Sequence, residues 1–336
     1  MEFLGSNILS IDQFDRKDID LIFKTADSLV PFASRQKITK VLQGAILSNM
    51  FFEPSTRTRI SFGSAFNMLG GEVRETTEIE ATSLAKGESL YDTSRVLSGY
   101  SDVIVMRHPL AGSVAEFAEA SRVPVINGGD GDNEHPSQAL LDLFTIKKEL
   151  ESHNKKLDTV RIALIGDLKF GRAAHSLCKI LMLYTNISIK LVSPDKLRLP
   201  DFLINEFKKN NISILETQDI KEGIADVDII YMTRIQEERF KNVSEANKYK
   251  GLMSLNQEIY TKNCEPNTII MHPLPRDSRK GANELDDDLN QNPNLAIYRQ
   301  TDNGLLIRMA LFCLILGVTD KIEDTASSVD WFSNKS

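Results

Sequence analysis

The chain has 336 residues, 41% hydrophobic and 26% charged, enough for two cores of ordinary domain size. Lys and Arg number 40 against 47 Asp and Glu, a net charge of −7 that excludes a general nucleic-acid binder with a basic face but not an anion site with locally concentrated positive charge. Cys178, Cys264 and Cys313 form no C-x-x-C pair, which excludes a disulfide scaffold and a zinc ribbon and leaves them as small core residues.

The N-terminal stretch Met1-Glu2-Phe3-Leu4-Gly5-Ser6 has neither the basic start nor the apolar core of a signal peptide. The most apolar stretch, residues 309–316, falls well short of the ~20 residues a membrane span needs. These features predict a soluble cytoplasmic protein. Ser10-Ile11-Asp12-Gln13 has the form of a capping box. Ile19, Ile22, Ala26 and Leu29 then recur at helical spacing over 15–29. Residues 45–52 read as a buried strand and 59–69 as a helix stopped by Gly70-Gly71. A helix over 88–97, a strand over 102–106, a helix over 113–120, a strand over 123–127 and a long amphipathic helix over 135–150 follow.

The polar run over 149–156 interrupts this pattern and sets the expected domain boundary, 1–150 against 151–336. The pattern restarts with a strand at 160–165, a helix at 171–183, a strand at 187–192 and a helix at 200–209. A strand at 212–215, a helix at 221–225 and strands at 227–232 and 268–271 complete it. A last helix, about 304–316, is apolar enough to be buried, and is expected to pack back between or onto the domains, on the first of them. Strands alternating with helices predict an α/β protein of two domains, each a parallel β-sheet flanked by helices. The run Glu284-Leu285-Asp286-Asp287-Asp288 reads as a solvated charged face.

In such folds ligands bind beyond the carboxyl ends of strands, and the loops there are unusual. Phe52-Glu53-Pro54-Ser55-Thr56-Arg57-Thr58-Arg59 leads from a strand straight into a helix. Its hydroxyls, guanidiniums and free helix N–H groups suit an anion. Met106-Arg107-His108-Pro109 adds a guanidinium after another strand, and His135 with Gln138 offers an imidazole and an amide on one helix face. Ser83-Leu84-Ala85-Lys86-Gly87 is a polar loop, and Met271-His272-Pro273-Leu274-Pro275-Arg276 ends the last strand. Arg172, in Gly166-Asp167-Leu168-Lys169-Phe170-Gly171-Arg172, and Arg234, in Met232-Thr233-Arg234-Ile235-Gln236, supply two further forks, as a substrate with two carboxylates needs. Neither a G-x-G-x-x-G fingerprint nor a P-loop fits the first of these turns. His175 reads as structural, His272 as holding its loop rather than reacting, and His108 as pointing away from the site.

Together these motifs resemble the carbamoyltransferase family over residues 10–317. The F-x-P-S-T-R-T-R segment marks the family as a whole. G-D-L-K-F-G-R at 166–172 and H-P-L-P-R at 272–276 are similar to its aspartate-specific branch, because the ornithine-specific branch carries cysteine in H-C-L-P and lacks the arginine-bearing turn. Phe170 departs locally, standing where tyrosine or asparagine is more usual, and the 83–86 loop varies in length among relatives.

The resemblance implies carbamoyl transfer to L-aspartate in de novo pyrimidine biosynthesis. Carbamoyl phosphate would bind first, its phosphate on Ser55, Thr56, Arg57, Thr58 and Arg107, with Ser83 contributed by the polar loop. Thr58, Arg107 and His135 would polarise its carbonyl oxygen, while Gln138 and the Leu274-Pro275 backbone accept its amide hydrogens. Arg172 and Arg234 would clamp L-aspartate, assisted by Gln236 and Lys86. Arg57, Thr58, Lys86, Arg107 and His135 are the implied catalytic set. No cofactor and no metal are called for, since carbamoyl phosphate is already activated. A homotrimer with shared active sites is implied, in which the 83–86 loop reaches the neighbouring subunit; a regulatory chain or larger complex stays open, and neither nucleic acid nor membrane is a partner. Two alternatives remain, a carbamoyltransferase for another amino acid and a non-catalytic homologue serving as an assembly subunit. Arg172 and Arg234 oppose a cationic acceptor such as ornithine, and the intact polar set opposes the non-catalytic reading.

Overall fold

The computed structural model describes residues 1–77 and 83–331. Its strands, in chain order, are β1 (Lys37–Ile38), β2 (Ile46–Phe51), β3 (Glu72–Thr76), β4 (Val103–His108), β5 (Val125–Asp130), β6 (Arg161–Ile165), β7 (Ser188–Val192), β8 (Ser213–Thr217), β9 (Ile229–Met232), β10 (Ile269–Met271) and β11 (Ser327–Ser328). The chain divides into two compact units, Met1–Leu140 with Asp302–Ser336, and Leu141–Thr301.

The first unit holds a parallel sheet in the order β3-β2-β4-β5. Met50, Ile104 and Met106 pack with Val114 and Phe117 of helix Ser113–Ala120. Phe62 and Phe66 of helix Arg57–Met68 meet Phe312 edge to face at 6.0 and 5.0 Å. That aromatic contact brings the carboxyl-terminal helix back onto this unit, as expected. Beyond it the chain pairs β11 with β1, and Thr39 Oγ1 donates to the Ile322 carbonyl at 3.0 Å. β3 escapes the sequence pattern because it is a polar edge strand, Glu-Val-Arg-Glu-Thr, with no buried residue.

The second unit holds a parallel sheet in the order β10-β9-β6-β7-β8. Ala163, Ile165, Val192, Ile230, Met232 and Ile270 form its core with Leu255, Leu285 and Leu289. Two expectations change here. The last helix starts at Ile297, not near 304, and ends at Ile315. Its polar first turns are matched by partners: Arg299 Nε donates to Glu149 Oε1 at 2.6 Å and Gln300 Nε2 to Asp142 Oδ1 at 2.6 Å. The run starting at Glu284 is not a solvated face, since Glu284 and Leu285 are buried and the Glu284 carboxylate bonds His272. A charge run can hold one inward-facing member, which composition does not reveal.

Both sheets reverse their order of growth at one point. In the first unit β2 has the next strand, β3, on one side and β4 on the other; in the second, β6 lies between β7 and β9. Parallel sheets bind ligands outside the carboxyl ends of strands at such switch points. The loops after β2 and β4, and after β6 and β9, are therefore where side chains have room to converge.

Candidate active site

In the first unit the loop after β2 enters helix Arg57–Met68 with Thr56 at the cap. Thr56 makes no side-chain cap bond, so its hydroxyl is not committed to the helix end. Thr58 is buried within the first turn, Ser55 is half-buried, and Thr56 and Arg57 are exposed. Arg107 lies opposite Phe51 in the parallel register, and its carbonyl accepts the Phe52 N–H at 2.9 Å. Its Nε donates to Glu53 Oε2 at 3.0 Å, an ion pair that aims the guanidinium along the β2 loop. Two guanidiniums, three hydroxyls and a helix N-terminus thus share one strand-end region.

The third contributor follows β5. The β4–β5 register shifts between Met106 and His108, so His108 lies opposite Asp130. Bulges of this kind redirect a chain beside functional sites. Asp130 then ties the ends together: Oδ2 accepts the Gly112 N–H at 2.8 Å and Oδ1 accepts the Glu134 N–H at 3.2 Å. Glu134, buried, is itself held by Ser10 Oγ at 2.9 Å and the Ile11 N–H at 3.1 Å. His135 is the next residue, buried ahead of Pro136, and its carbonyl accepts the N–H groups of Gln138 (2.9 Å) and Ala139 (3.2 Å). Proline at the first helical position pre-sets the turn that carries Gln138. His108 accepts the Leu110 N–H at Nδ1 (3.1 Å), and burial pushes its pKa down. That bond holds the turn after β4.

In the second unit Gly166 follows β6 and Arg172 opens helix Arg172–Leu181. Asp167, fully buried, organises both switch-point turns: Oδ1 accepts the Phe170 N–H at 3.0 Å and Oδ2 the Gln236 N–H at 3.0 Å. Burial pushes its carboxyl up, against those backbone donors. Arg234 follows β9 and holds the Glu238 carboxylate through both terminal nitrogens, Nη1 to Oε2 at 3.0 Å and Nη2 to Oε1. Burial works against the Arg234 charge, and the Glu238 carboxylate, with the charges of Glu284 and Glu237, more than restores it. Arg234 thus stands in the two-pronged geometry in which a guanidinium pairs with a carboxylate, here with Glu238 as the partner. Phe170 packs against the Phe240 ring at 5.2 Å, which gives that departure a local role. His175 bonds the Leu168 carbonyl at 2.8 Å through Nε2, a structural role as expected.

After β10, His272 is buried, Leu274 is half-buried with φ 58°, and the Leu274-Pro275 peptide is cis. Lys86 is exposed at the end of the 3-10 turn Ser83–Lys86. Residues 78–82, ahead of that turn, lie outside the described residues, and of Ser83 the backbone alone is described. Sequence reasoning missed Glu53, Asp130, Asp167, Glu238 and Glu284, the carboxylates that orient the cations and loops. Among the described residues no group of three or more His, Cys, Asp and Glu is arranged to hold a metal ion, and no helix is long and apolar enough to cross a membrane.

The sequence matches the aspartate/ornithine carbamoyltransferase carbamoyl-P binding domain over residues 6–148 and the aspartate/ornithine carbamoyltransferase Asp/Orn binding domain over residues 158–315. It is 64% identical over 334 residues to the aspartate carbamoyltransferase catalytic subunit of Cellvibrio japonicus, spanning 99% of each chain. It is 63% identical over 335 residues to that of Saccharophagus degradans, spanning 100% of this chain and 99% of the relative. The fold is similar to Trypanosoma cruzi aspartate transcarbamoylase in complex with N-(phosphonacetyl)-L-aspartic acid, with a TM-score of 0.85 and 37% identity over 94% of this chain and 97% of that one.

Proposed function

The chain belongs to the aspartate/ornithine carbamoyltransferase family, and from that premise we propose that it transfers the carbamoyl group of carbamoyl phosphate to the amine of L-aspartate, giving N-carbamoyl-L-aspartate and phosphate. One observation carries the choice of acceptor: Arg172 and Arg234 stand on the turns after β6 and β9, the two strands flanking the switch point. Two guanidiniums there suit a dicarboxylate and repel a second ammonium group.

Ser55, Thr56, Arg57, Thr58 and Arg107 hold the phosphate, with Ser83. Thr58, Arg107 and His135 donate to the carbonyl oxygen, while Gln138 and the carbonyls of Leu274 and Pro275 accept the carbamoyl N–H groups. Arg172 and Arg234 take the two carboxylates of aspartate, with Gln236 and Lys86 beside them. The neutral amine attacks the carbonyl carbon, forming the C–N bond and a tetrahedral oxyanion that meets donors already in place. The oxyanion collapses, the C–O bond to phosphate breaks, and the departing phosphate takes the proton the nitrogen loses. Its charge is met by the guanidiniums that held it in the ground state.

The working form is a cytoplasmic homotrimer in which the turn at Lys86 completes a neighbour's site. The exposure of Lys86 supports this reading. A steady-state assay with carbamoyl phosphate and either L-aspartate or L-ornithine tests the reaction itself. Turnover with aspartate and none with ornithine is expected, and equal rates would overturn the assignment.

A further inference from the structure

The backbone carbonyl of Leu274 sits on a residue that leucine would not choose. Its φ of 58° is left-handed, a conformation that persists in a non-glycine residue where its surroundings over-determine it. The surroundings are traceable. His272 Nδ1 accepts the Leu274 N–H at 2.8 Å. A ring nitrogen that accepts carries no proton, so Nε2 bears the hydrogen, and it faces Glu284 Oε1 at 2.7 Å. The side chains are almost completely buried, 1% exposed for His272 and 7% for Glu284. The same carboxylate accepts the Asp277 N–H at 3.2 and 3.3 Å, closing the far end of the loop. The main chain of His272 is pinned separately, its N–H donating to Gln300 Oε1 at 3.0 Å. Gln300 in turn donates to Asp142, which takes the Tyr231 hydroxyl at 2.6 Å.

We propose that His272, oriented by Glu284, is a positioning residue for the transfer reaction: its imidazole fixes Leu274 in the left-handed conformation and so aims the carbonyl that receives the carbamoyl amide. The proposal rests on the role given to Leu274 above. Burial, joined by the charges of Arg276 and Arg234, pushes the His272 pKa down against the opposing effect of Glu284. The ring is therefore neutral, which the accept-at-Nδ1, donate-at-Nε2 arrangement requires.

Two substitutions separate the two bonds of the ring. His272→Asn puts an amide oxygen where Nδ1 stands, able to accept the N–H two residues on as in an Asx turn, and gives up the bond to Glu284. His272→Gln extends an amide N–H toward Glu284 and leaves the Leu274 N–H without its acceptor. Thermal unfolding monitors the fold of both, and the readout is kcat/KM for carbamoyl phosphate against KM for aspartate. His272→Gln is expected to lose about tenfold or more in kcat/KM for carbamoyl phosphate, with aspartate KM changed much less, while His272→Asn stays within about threefold of the parent. Equal losses in both variants, or none in either, would overturn the proposal. Should the histidine variants not fold, Glu284→Gln, which keeps an acceptor for Nε2–H, against Glu284→Ala reads the same contrast, with near-parental activity expected only for the first. A parent chain that does not carbamoylate aspartate would overturn the reaction itself, whereas an active parent with indistinguishable variants overturns the positioning role alone.

Discussion

A β-carbon on Gly166 would lie 2.2 Å from the carbonyl oxygen of Thr233. The turn leading to Arg172 and the turn leading to Arg234 are thus built on a backbone-to-backbone approach that glycine alone permits, and Gly166 also holds φ at 115°. Thr233 cannot retreat easily, since its N–H and Oγ1 both bond the Ile165 carbonyl, at 2.8 and 2.9 Å. Gly166→Ala should therefore destabilise the chain by about 1–3 kcal/mol and raise the KM for aspartate more than that for carbamoyl phosphate. Urea denaturation and two-substrate kinetics check both halves, and an unchanged aspartate KM would count against the turn-on-turn account.

A second expectation concerns how Arg107 is aimed. Glu53 accepts from Nε at 3.0 Å and so fixes the orientation of the guanidinium. Glu53→Ala should lower kcat/KM for carbamoyl phosphate by about ten- to a hundredfold, the scale of one hydrogen bond to a charged group, with the fold intact. Full activity in that variant would mean that the side chain finds its place without Glu53.

The difference between Arg107 and Glu53 also marks what could be read from the sequence. The cations, hydroxyls and amides at 55–58, 107, 135, 138, 172 and 234 follow strand-like runs, and strand ends are where α/β folds bind ligands, so composition and position together single them out. Parallel sheets were legible for the same local reason: buried strands are apolar throughout. What aims the cations was not legible. Glu53, Asp130, Asp167 and Glu284 are ordinary acidic residues locally, and their roles come from partners that only the fold brings to them, some far along the chain, as with Asp167 and Gln236, 69 positions apart. The polar start of the last helix and the edge strand β3 were missed because an apolar pattern cannot register a polar segment whose partners are distant.

Acid should weaken the fold through two buried imidazoles. Burial holds both His108 and His272 below their ordinary value of 6.5, so the folded chain keeps them neutral while the unfolded chain binds protons below that pH. The unfolded state then carries more protons, and stability falls as pH drops from about 6.5 toward the folded-state values; above 6.5 the contribution is complete. Urea midpoints measured between pH 8 and pH 5 on the parent and on His272→Asn should differ by a constant amount above pH 6.5 and draw together below it. A difference independent of pH would show that His272 titrates alike in both states.

The last expectation tests whether sites are shared round a ring. One variant carries Lys86→Ala and a second Arg172→Ala, each nearly inactive alone if both residues serve the reaction. In the proposed cyclic trimer a site is intact where a chain that keeps Arg172 receives the turn of a neighbour that keeps Lys86. Going round a ring of mixed composition, that junction occurs once, whichever variant is in the majority, because the ring closes. Random equal mixing makes about three-quarters of the rings mixed, so about one site in four regains the parental residues. Co-refolding the two variants and assaying transfer to aspartate should thus recover about a quarter of the parental activity, and separately refolded samples combined afterwards should recover none of it. Activity equal to the sum of the two residual rates, in a preparation where light scattering and mass spectrometry establish mixed rings, would place Lys86 within its own chain's chemistry or outside the reaction altogether.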